Sequence, residues 1–404
     1  MGVALALSLF AFLFMDTFRI SVAGPPAPNT IKVGSVLSLT GSMAAGGKWT
    51  KQGYEIGLKH INEAGGIYVK DFDKKIPLEI IFLDDESDPK KTVSRMEKLY
   101  SVDKVDAFLG GFSSFLIVPQ LAVAEKYRIP ILVNIGSTAE FEKGYKYVFT
   151  PFVSDKDQVT TFLEVLDSIP QAQRPNKIAF FEIQEEWGVA TGKYLKEFAP
   201  PKGYKIVTYE KYAMNTTDFS SLIVNAKAAE ADIIYTNPTP PQGIGLVKQM
   251  KEIDWAIKFA YILRAADVMI WSKNLGKDGD YVCHNAGGWD YHLKLPGVER
   301  FNQDYKTAYG SLPENIAGPS YACLQMLADA IQRAGNLDRD KIREAIASTN
   351  LMTIMGQIRF KPNGRGEGNI RTVSQWQNGK DEMIWPKDQA SAPLAYPMPP
   401  WKKR

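Results

Sequence analysis

The residues of this chain that could do chemistry gather where short apolar runs end. Asp106-Ala-Phe-Leu-Gly-Gly-Phe-Ser-Ser114 closes one run, and Ile129-Pro-Ile-Leu-Val-Asn-Ile-Gly-Ser-Thr138 closes another, each in small and hydroxyl-bearing residues. Both runs are too short and too rich in β-formers for a helix. Their ends offer backbone N–H groups and hydroxyls to an anion. A third such stretch, Leu39-Thr40-Gly41-Ser42 through Gly46-Gly47, follows the first expected strand. One loop of small residues serves a tight turn as readily as a ligand. Three together point to a crevice at the carboxyl ends of a parallel sheet.

Competing chemistries fail on specific residues. A phosphate loop ending at Lys48 needs glycine at 42 and a hydroxyl at 49, where Ser42 and Trp49 stand, and no G-x-G-x-x-G opens a helix. Gly111-Phe-Ser-Ser-Phe115 lacks the second glycine of a nucleophile elbow. His60, His284 and His292 read as surface or hydrogen-bonded histidines rather than bases. The acidic run Asp84-Asp85-Glu86-Ser87-Asp88 lacks the glycine and the distant glutamate of a calcium loop. Asp88 before Pro89 is instead a helix cap. Binding without turnover, with no cofactor and no metal, is the expectation.

With 404 residues the chain exceeds the usual span of one core, so two lobes are expected. Lys plus Arg 48 against Asp plus Glu 45 leaves a net charge of +3, with both signs interspersed and only Lys402-Lys403-Arg404 forming a basic run. Nucleic acid is therefore not an expected partner. Val3 to Met15 is an apolar run too short to span a bilayer, Ser21-Val22-Ala23 offers small residues for cleavage, and Pro25, Pro26 and Pro28 follow as a linker. Residues 1–23 are thus expected to be a signal peptide, and the protein to be exported to the periplasm. Cys283 and Cys323 read as two buried free thiols.

The elements that must position the crevice alternate strand and helix. Strands are expected at Ile31 to Leu37, Leu78 to Leu83, Ala107 to Gly110 and Pro130 to Val133, with helices at Trp49 to Asn62, Pro89 to Tyr100 and Phe115 to Tyr127. A second βα series runs from Lys156 to Ile262. The chain then returns through Gly287-Gly288-Trp289-Asp290 to helices at Val298 to Tyr309, Ser320 to Ala334 and Asp340 to Ser348, and crosses a third time at Met355-Gly356. Repeated βα units imply parallel sheets with helices on both faces. The fold class is α/β, two doubly wound parallel-sheet lobes joined by a three-strand hinge. Lobe 1 is expected over 31–152 with 288–355, lobe 2 over 153–287 with 356–390, and an extended tail over 391–404.

Several stretches in order carry a resemblance: Ile31-Lys-Val-Gly-Ser-Val-Leu-Ser-Leu-Thr-Gly41, Ile61-Asn-Glu-Ala-Gly-Gly-Ile67, Leu83-Asp-Asp-Glu-Ser-Asp-Pro89, Phe108-Leu-Gly-Gly111, Arg128-Ile-Pro-Ile131 and Phe219-Ser-Ser-Leu-Ile223. From Ile31 to Asn378 the chain resembles the periplasmic solute-binding proteins of branched-chain amino-acid (leucine/isoleucine/valine-binding) type ABC importers. The resemblance implies the type I periplasmic binding protein architecture, closure on a small carboxylate ligand, a monomer, and a membrane permease as partner; a ligand-sensing receptor domain would share the architecture. It implies that Ser113, Ser114, Gly136 and Ser137 grip the ligand carboxylate, with Trp187 as an aromatic wall. Gly46 and Thr239 fall where the family has tyrosines, and Arg264 falls where it has the glutamate that pairs with a ligand ammonium. A cation at 264 repels an ammonium and suits a second carboxylate or a phenol or carbonyl oxygen. An organic or aromatic acid is therefore favoured, cradled by Trp187 with Trp49 or Trp289. The alternative is an amino acid, with Arg264 pointing to solvent or paired to Asp267 and a carboxylate such as Asp290 or Glu186 taking the ammonium.

Overall fold

The structure, a computed structural model, describes residues 26–136, 138–284 and 288–404. The expected signal peptide and Ser137 lie outside the described residues.

The first sheet has the order β4-β1-β5-β6-β7, built from β1 (Ile31–Leu37), β4 (Leu78–Asp84), β5 (Ala107–Leu109), β6 (Ile131–Leu132) and β7 (Val148–Phe149), all parallel. A small hairpin, β2 (Ile67–Val69) with β3 (Lys74–Ile76), sits beside it. Helices α1 (Ala44–Glu63), α2 (Pro89–Ser101) and α3 (Ser114–Tyr127) connect these strands. The second lobe runs α4 (Asp155–Asp167), β8 (Lys177–Ile183), α5 (Glu186–Phe198), β9 (Lys205–Tyr212), α6 (Ser220–Ala228), β10 (Ile233–Thr236), α7 (Pro240–Glu252), β11 (Phe259–Ile262), α8 (Ile270–Leu275) and β12 (Val282–His284). The chain then returns to the first lobe as α9 (Val298–Tyr309), α10 (Ala317–Ala334) and α11 (Arg339–Ala347), followed by a three-stranded sheet of β13 (Asn350–Thr353), β14 (Gly356–Phe360) and β15 (Gly366–Asn369). It ends as the antiparallel pair β16 (Val373–Gln377) and β17 (Lys380–Trp385), which completes the second sheet as β17-β16-β12-β11-β10-β8-β9.

Strands covered on both faces read as unbroken apolar runs, and every residue of β5, β10 and β11 is buried. Each sheet has a core on either face. In the first lobe Val36, Phe108 and Ile131 pack with Leu99 of α2 and Ile117 of α3, while Leu37, Leu109 and Leu132 pack with Tyr54 of α1 and Leu324 of α10. In the second, Phe180 and Tyr235 meet Phe162 of α4 and Leu195 of α5, while Phe181 and Ile234 meet Ile223 of α6 and Leu246 of α7.

The chain passes between lobes between β7 and α4, between β12 and α9, and between β15 and β16. The third passage lies later than Met355-Gly356. Ile354, Met355 and Ile358 are buried in the first-lobe core and Thr150 bridges to Arg365, so residues 356–369, expected in the second lobe, pack with the first. The tail is more than an extended strand. Met398 N–H donates to the Lys258 carbonyl at 3.0 Å, and Trp401, buried in the second-lobe core, donates its indole N–H to the Trp255 carbonyl at 3.0 Å. Cys283 in β12 and Cys323 in α10 are free and buried in different lobes. Among the described residues no helix is long and apolar enough to cross a membrane.

Candidate functional site

Between the lobes lies a cavity of about 480 Å³, a size suited to a small solute. The first lobe brings the N-terminal ends of three helices to it: Ala45 and Gly46 of α1, Ser113 and Ser114 at α3, and Glu314, Asn315 and Ile316 ahead of α10. The first N–H groups of a helix have no partner inside it and its dipole is positive there, so these ends favour an anion.

Local packing fixes the loops. Tyr54 Oη donates to the Gly110 carbonyl at 2.8 Å, while Gln120 accepts from Gly111 N–H at 3.0 Å and donates to the Val36 carbonyl at 3.1 Å. The turn ends at Ser113, whose φ of 75° aims the chain into α3 and whose side chain makes no capping bond, leaving the hydroxyl for another partner. Gly46 is not in a loop, as expected, but in the first turn of α1. A Cβ there would run into the Phe112 ring, so the glycine lets helix and loop close up and presents only backbone to the cavity.

Gly136 does not reach the cavity wall; Ile135 does. The Gly136 carbonyl accepts from buried Arg365 at 3.5 Å, and an added Cβ would meet Phe141 at 2.9 Å. Trp49 and Trp187 line the cavity with Phe112, Phe152, Met43 and Met214, which gives it a largely aromatic and thioether wall. Trp289 does not join them. It is buried in the first-lobe core against Phe301 and Gly318.

The second lobe supplies Trp187 from the first turn of α5, its indole N–H held by Gln158 at 2.8 Å. Thr239 caps α7 in a reciprocal pair with Gln242, and Pro240 and Pro241 follow it, so this helix end has little left to donate. Arg264 lines the cavity, but its guanidinium is paired with Glu185 and stacks over Trp187 at 4.7 Å. The charge expected to select a second carboxylate is therefore already answered. Asp267 meets Arg264 through the backbone instead, accepting its N–H at 3.0 Å.

Behind Asp267 lies a buried ion chain. His284 is fully buried, with Nδ1 3.3 Å from Asp267 and Nε2 3.0 Å from Asp381. Burial pulls its pKa down, but the two carboxylates outweigh that and push it up to about 10. Glu314, facing Asp267 from the other lobe, accepts the Met269 N–H at 3.4 Å. Burial, with Asp381 and Asp267 nearby, pushes its pKa up to about 7.

Two carboxylates weighed as ammonium partners lie elsewhere. Asp290 is fully buried at the hinge, accepting from Ser374 Oγ at 2.5 Å and facing His292 at 2.7 Å. Glu186 lines a separate interlobe cavity with Glu142, Glu185 and Lys193. Sequence reasoning missed Phe112, Phe152, Asp267, Glu314 and Asn315 as lining residues. The signal for Glu314 and Asn315 was the start of α10, which lies at Ala317, three residues before the expected Ser320.

A family model for periplasmic binding proteins matches residues 30–381. Leu/Ile/Val-binding protein homolog 7 of Brucella abortus is 24% identical over 405 aligned positions, covering 95% of this chain and 98% of the relative. A branched-chain amino acid transporter substrate binding protein of Streptococcus pneumoniae, solved with isoleucine, superposes with a TM-score of 0.75 at 19% identity, covering 91% of this chain and 100% of that one. A solute binding protein of an ABC transporter from R. palustris, solved with benzoate, superposes with a TM-score of 0.74 at 16% identity, covering 91% of this chain and 97% of the other.

Proposed function

The chain belongs to the periplasmic binding protein family, which is non-enzymatic, and we propose that it is the extracytoplasmic solute-binding component of an ABC importer. It captures a small organic or aromatic acid between its lobes and delivers it to a membrane permease. The observation that carries this reading is the interlobe cavity, where helix ends of one lobe face the Trp187 wall of the other. The carboxylate sits at the N-termini of α1 and α3, with the Ser113 and Ser114 hydroxyls as further donors. Hydrogen bonds to a charged group contribute about 1.5–3 kcal/mol each, so a few suffice without a free cation. Trp49, Phe112 and Trp187 cover the apolar body, and the benzoate complex of the R. palustris protein supports an aromatic one. Because the solute touches both lobes only when they are closed, it shifts the hinge equilibrium towards closure. The protein works as a monomer.

A second reading, an amino acid, draws on Asp267 and Glu314, carboxylates in the same wall that could take an ammonium. The isoleucine complex of the S. pneumoniae protein supports it. A thermal-shift screen of benzoate, branched-chain amino acids and aliphatic dicarboxylates decides between them. A ligand at one hundred times its Kd stabilises by about 2.7 kcal/mol. Stabilisation by benzoate and not by isoleucine supports the first reading, the reverse supports the second, and none by any acid overturns both.

A further inference from the structure

The cavity wall holds a second polar patch that gripping a carboxylate does not use. Glu314 and Asn315 enter it from the first lobe and Asp267 from the second. Asn315 is 6% exposed, and its Nδ2 has no hydrogen-bond partner among the described residues. A buried amide donor left without an acceptor costs about 1–3 kcal/mol, so its position in a ligand cavity needs a partner. The same cavity wall carries two carboxylates. Asp267 accepts the Arg264 N–H and pairs with the His284 ring, among other partners, and Glu314 accepts the Met269 N–H at 3.4 Å.

The wall therefore offers one donor together with carboxylate acceptors. An ammonium satisfies the acceptors but repeats the donor of Asn315. A carboxylate satisfies Asn315 but is repelled by Glu314 and Asp267. A hydroxyl satisfies both, since it donates one hydrogen bond and accepts another.

Resting on the proposed acid-binding function, we infer that Asn315, Glu314 and Asp267 form a hydroxyl-recognising subsite, and that the solute is a hydroxy-substituted organic or aromatic acid. The carboxylate engages the α1 and α3 helix ends while the hydroxyl donates to Glu314 or Asp267 and accepts from Asn315. A site built to hydrogen-bond a hydroxyl discriminates strongly against the analogue that lacks it, because its buried polar groups are then left unpaired.

The test is calorimetry on matched sets: benzoate against 3- and 4-hydroxybenzoate, and 3-methylpentanoate against its 2-hydroxy analogue and isoleucine. The expected result is that a hydroxylated member binds at least about tenfold tighter than its parent acid. In Asn315→Leu and in Asn315→Asp, which keeps the size but replaces the donor, that ratio should fall towards one. Equal affinity of parent and hydroxy acids, or a ratio unchanged in both variants, overturns the subsite while leaving the acid-binding reading intact. Isoleucine binding more tightly than its hydroxy analogue also overturns it, because an ammonium then fills the place. If no acid in either set binds, the acid-binding reading fails and the subsite falls with it.

Discussion

The guanidinium of Arg264 lies over the indole of Trp187, 4.7 Å from the ring centroid, and is tied there by Glu185. Both members of the ion pair are mostly shielded, with side chains 17% and 11% exposed. The pair closes one side of the cavity and leaves Arg264 without a free charge for the solute. Glu185→Gln should release that charge. Aliphatic dicarboxylates should then gain about tenfold in affinity over monocarboxylates, the size of one charge-assisted hydrogen bond. Calorimetric affinities for both classes that move together would show that Arg264 does not reach the solute.

This pair also marks how far the sequence could be read. The alternation of strand and helix, and the hydroxyl-bearing ends at Ser113 and Ser114, were legible because parallel sheets place ligands at the carboxyl ends of their strands. The partner of Arg264 was not, because Glu185 is 79 residues away and nothing local links them. Trp289 has the right chemistry for a ligand wall, yet it is consumed by the first-lobe core, where Gly318 makes room for its ring. The sequence puts the third passage at Met355-Gly356, ahead of the strand-like runs that follow it. The short β13–β15 sheet instead buries Ile354 and Ile358 in the first lobe before the chain crosses.

Ser114 tests the carboxylate grip. Ser114→Ala removes a hydroxyl at the N-terminal end of α3 but keeps the helix and its backbone donors. Affinity for a bound acid should fall about tenfold, or about 1.4 kcal/mol, with little change in melting temperature without ligand. An unchanged calorimetric Kd would remove Ser114 from the site.

Hinge integrity should depend on Ser374. Its hydroxyl donates to Asp290 at 2.5 Å across the passages between lobes, and Asp290 is fully buried. Burial pushes the Asp290 carboxyl up, but His292 and Ser374 outweigh it and hold it below the usual carboxylate range. Such a group adds stability above its unfolded pKa that is lost as pH falls through the folded value. Ser374→Ala should cost about 1–3 kcal/mol near neutral pH. Denaturant melts should show that deficit shrinking in acid; a deficit that does not depend on pH would argue against the bond to an ionised Asp290.

Solute affinity should vary with pH through Glu314. Asp267, His284, Asp381, Tyr291 and Tyr305 all face it, and its pKa of about 7 places the charge change in the neutral range. Below that pH Glu314 is neutral, and above it the cavity gains a negative charge. A solute that presents only a carboxylate should therefore bind more weakly as pH rises from about 6 to about 8, by severalfold. Glu314→Gln should flatten the profile. Parallel profiles in the wild type and the variant would assign the dependence to another group.

Glu140 is a buried acid whose protonation should make stability depend on pH. It is 2% exposed, and Glu186 and Asp155 face it with Lys143 and Arg365 nearby. Burial first, and the Glu186 charge second, push its pKa up from 4.5 to about 9. The folded state therefore keeps a proton that the unfolded chain releases near 4.5, so the contribution is whole below that pH and is lost as pH rises towards 9. Glu140→Gln keeps the shape of the protonated acid and has no proton to lose. Its advantage over the wild type in unfolding free energy from urea melts should be near zero around pH 5 and grow steadily towards pH 9, reaching on the order of several kcal/mol. Equal midpoints across that range would mean that Glu140 is ionised in the folded protein, with Lys143 and Arg365 carrying the compensation.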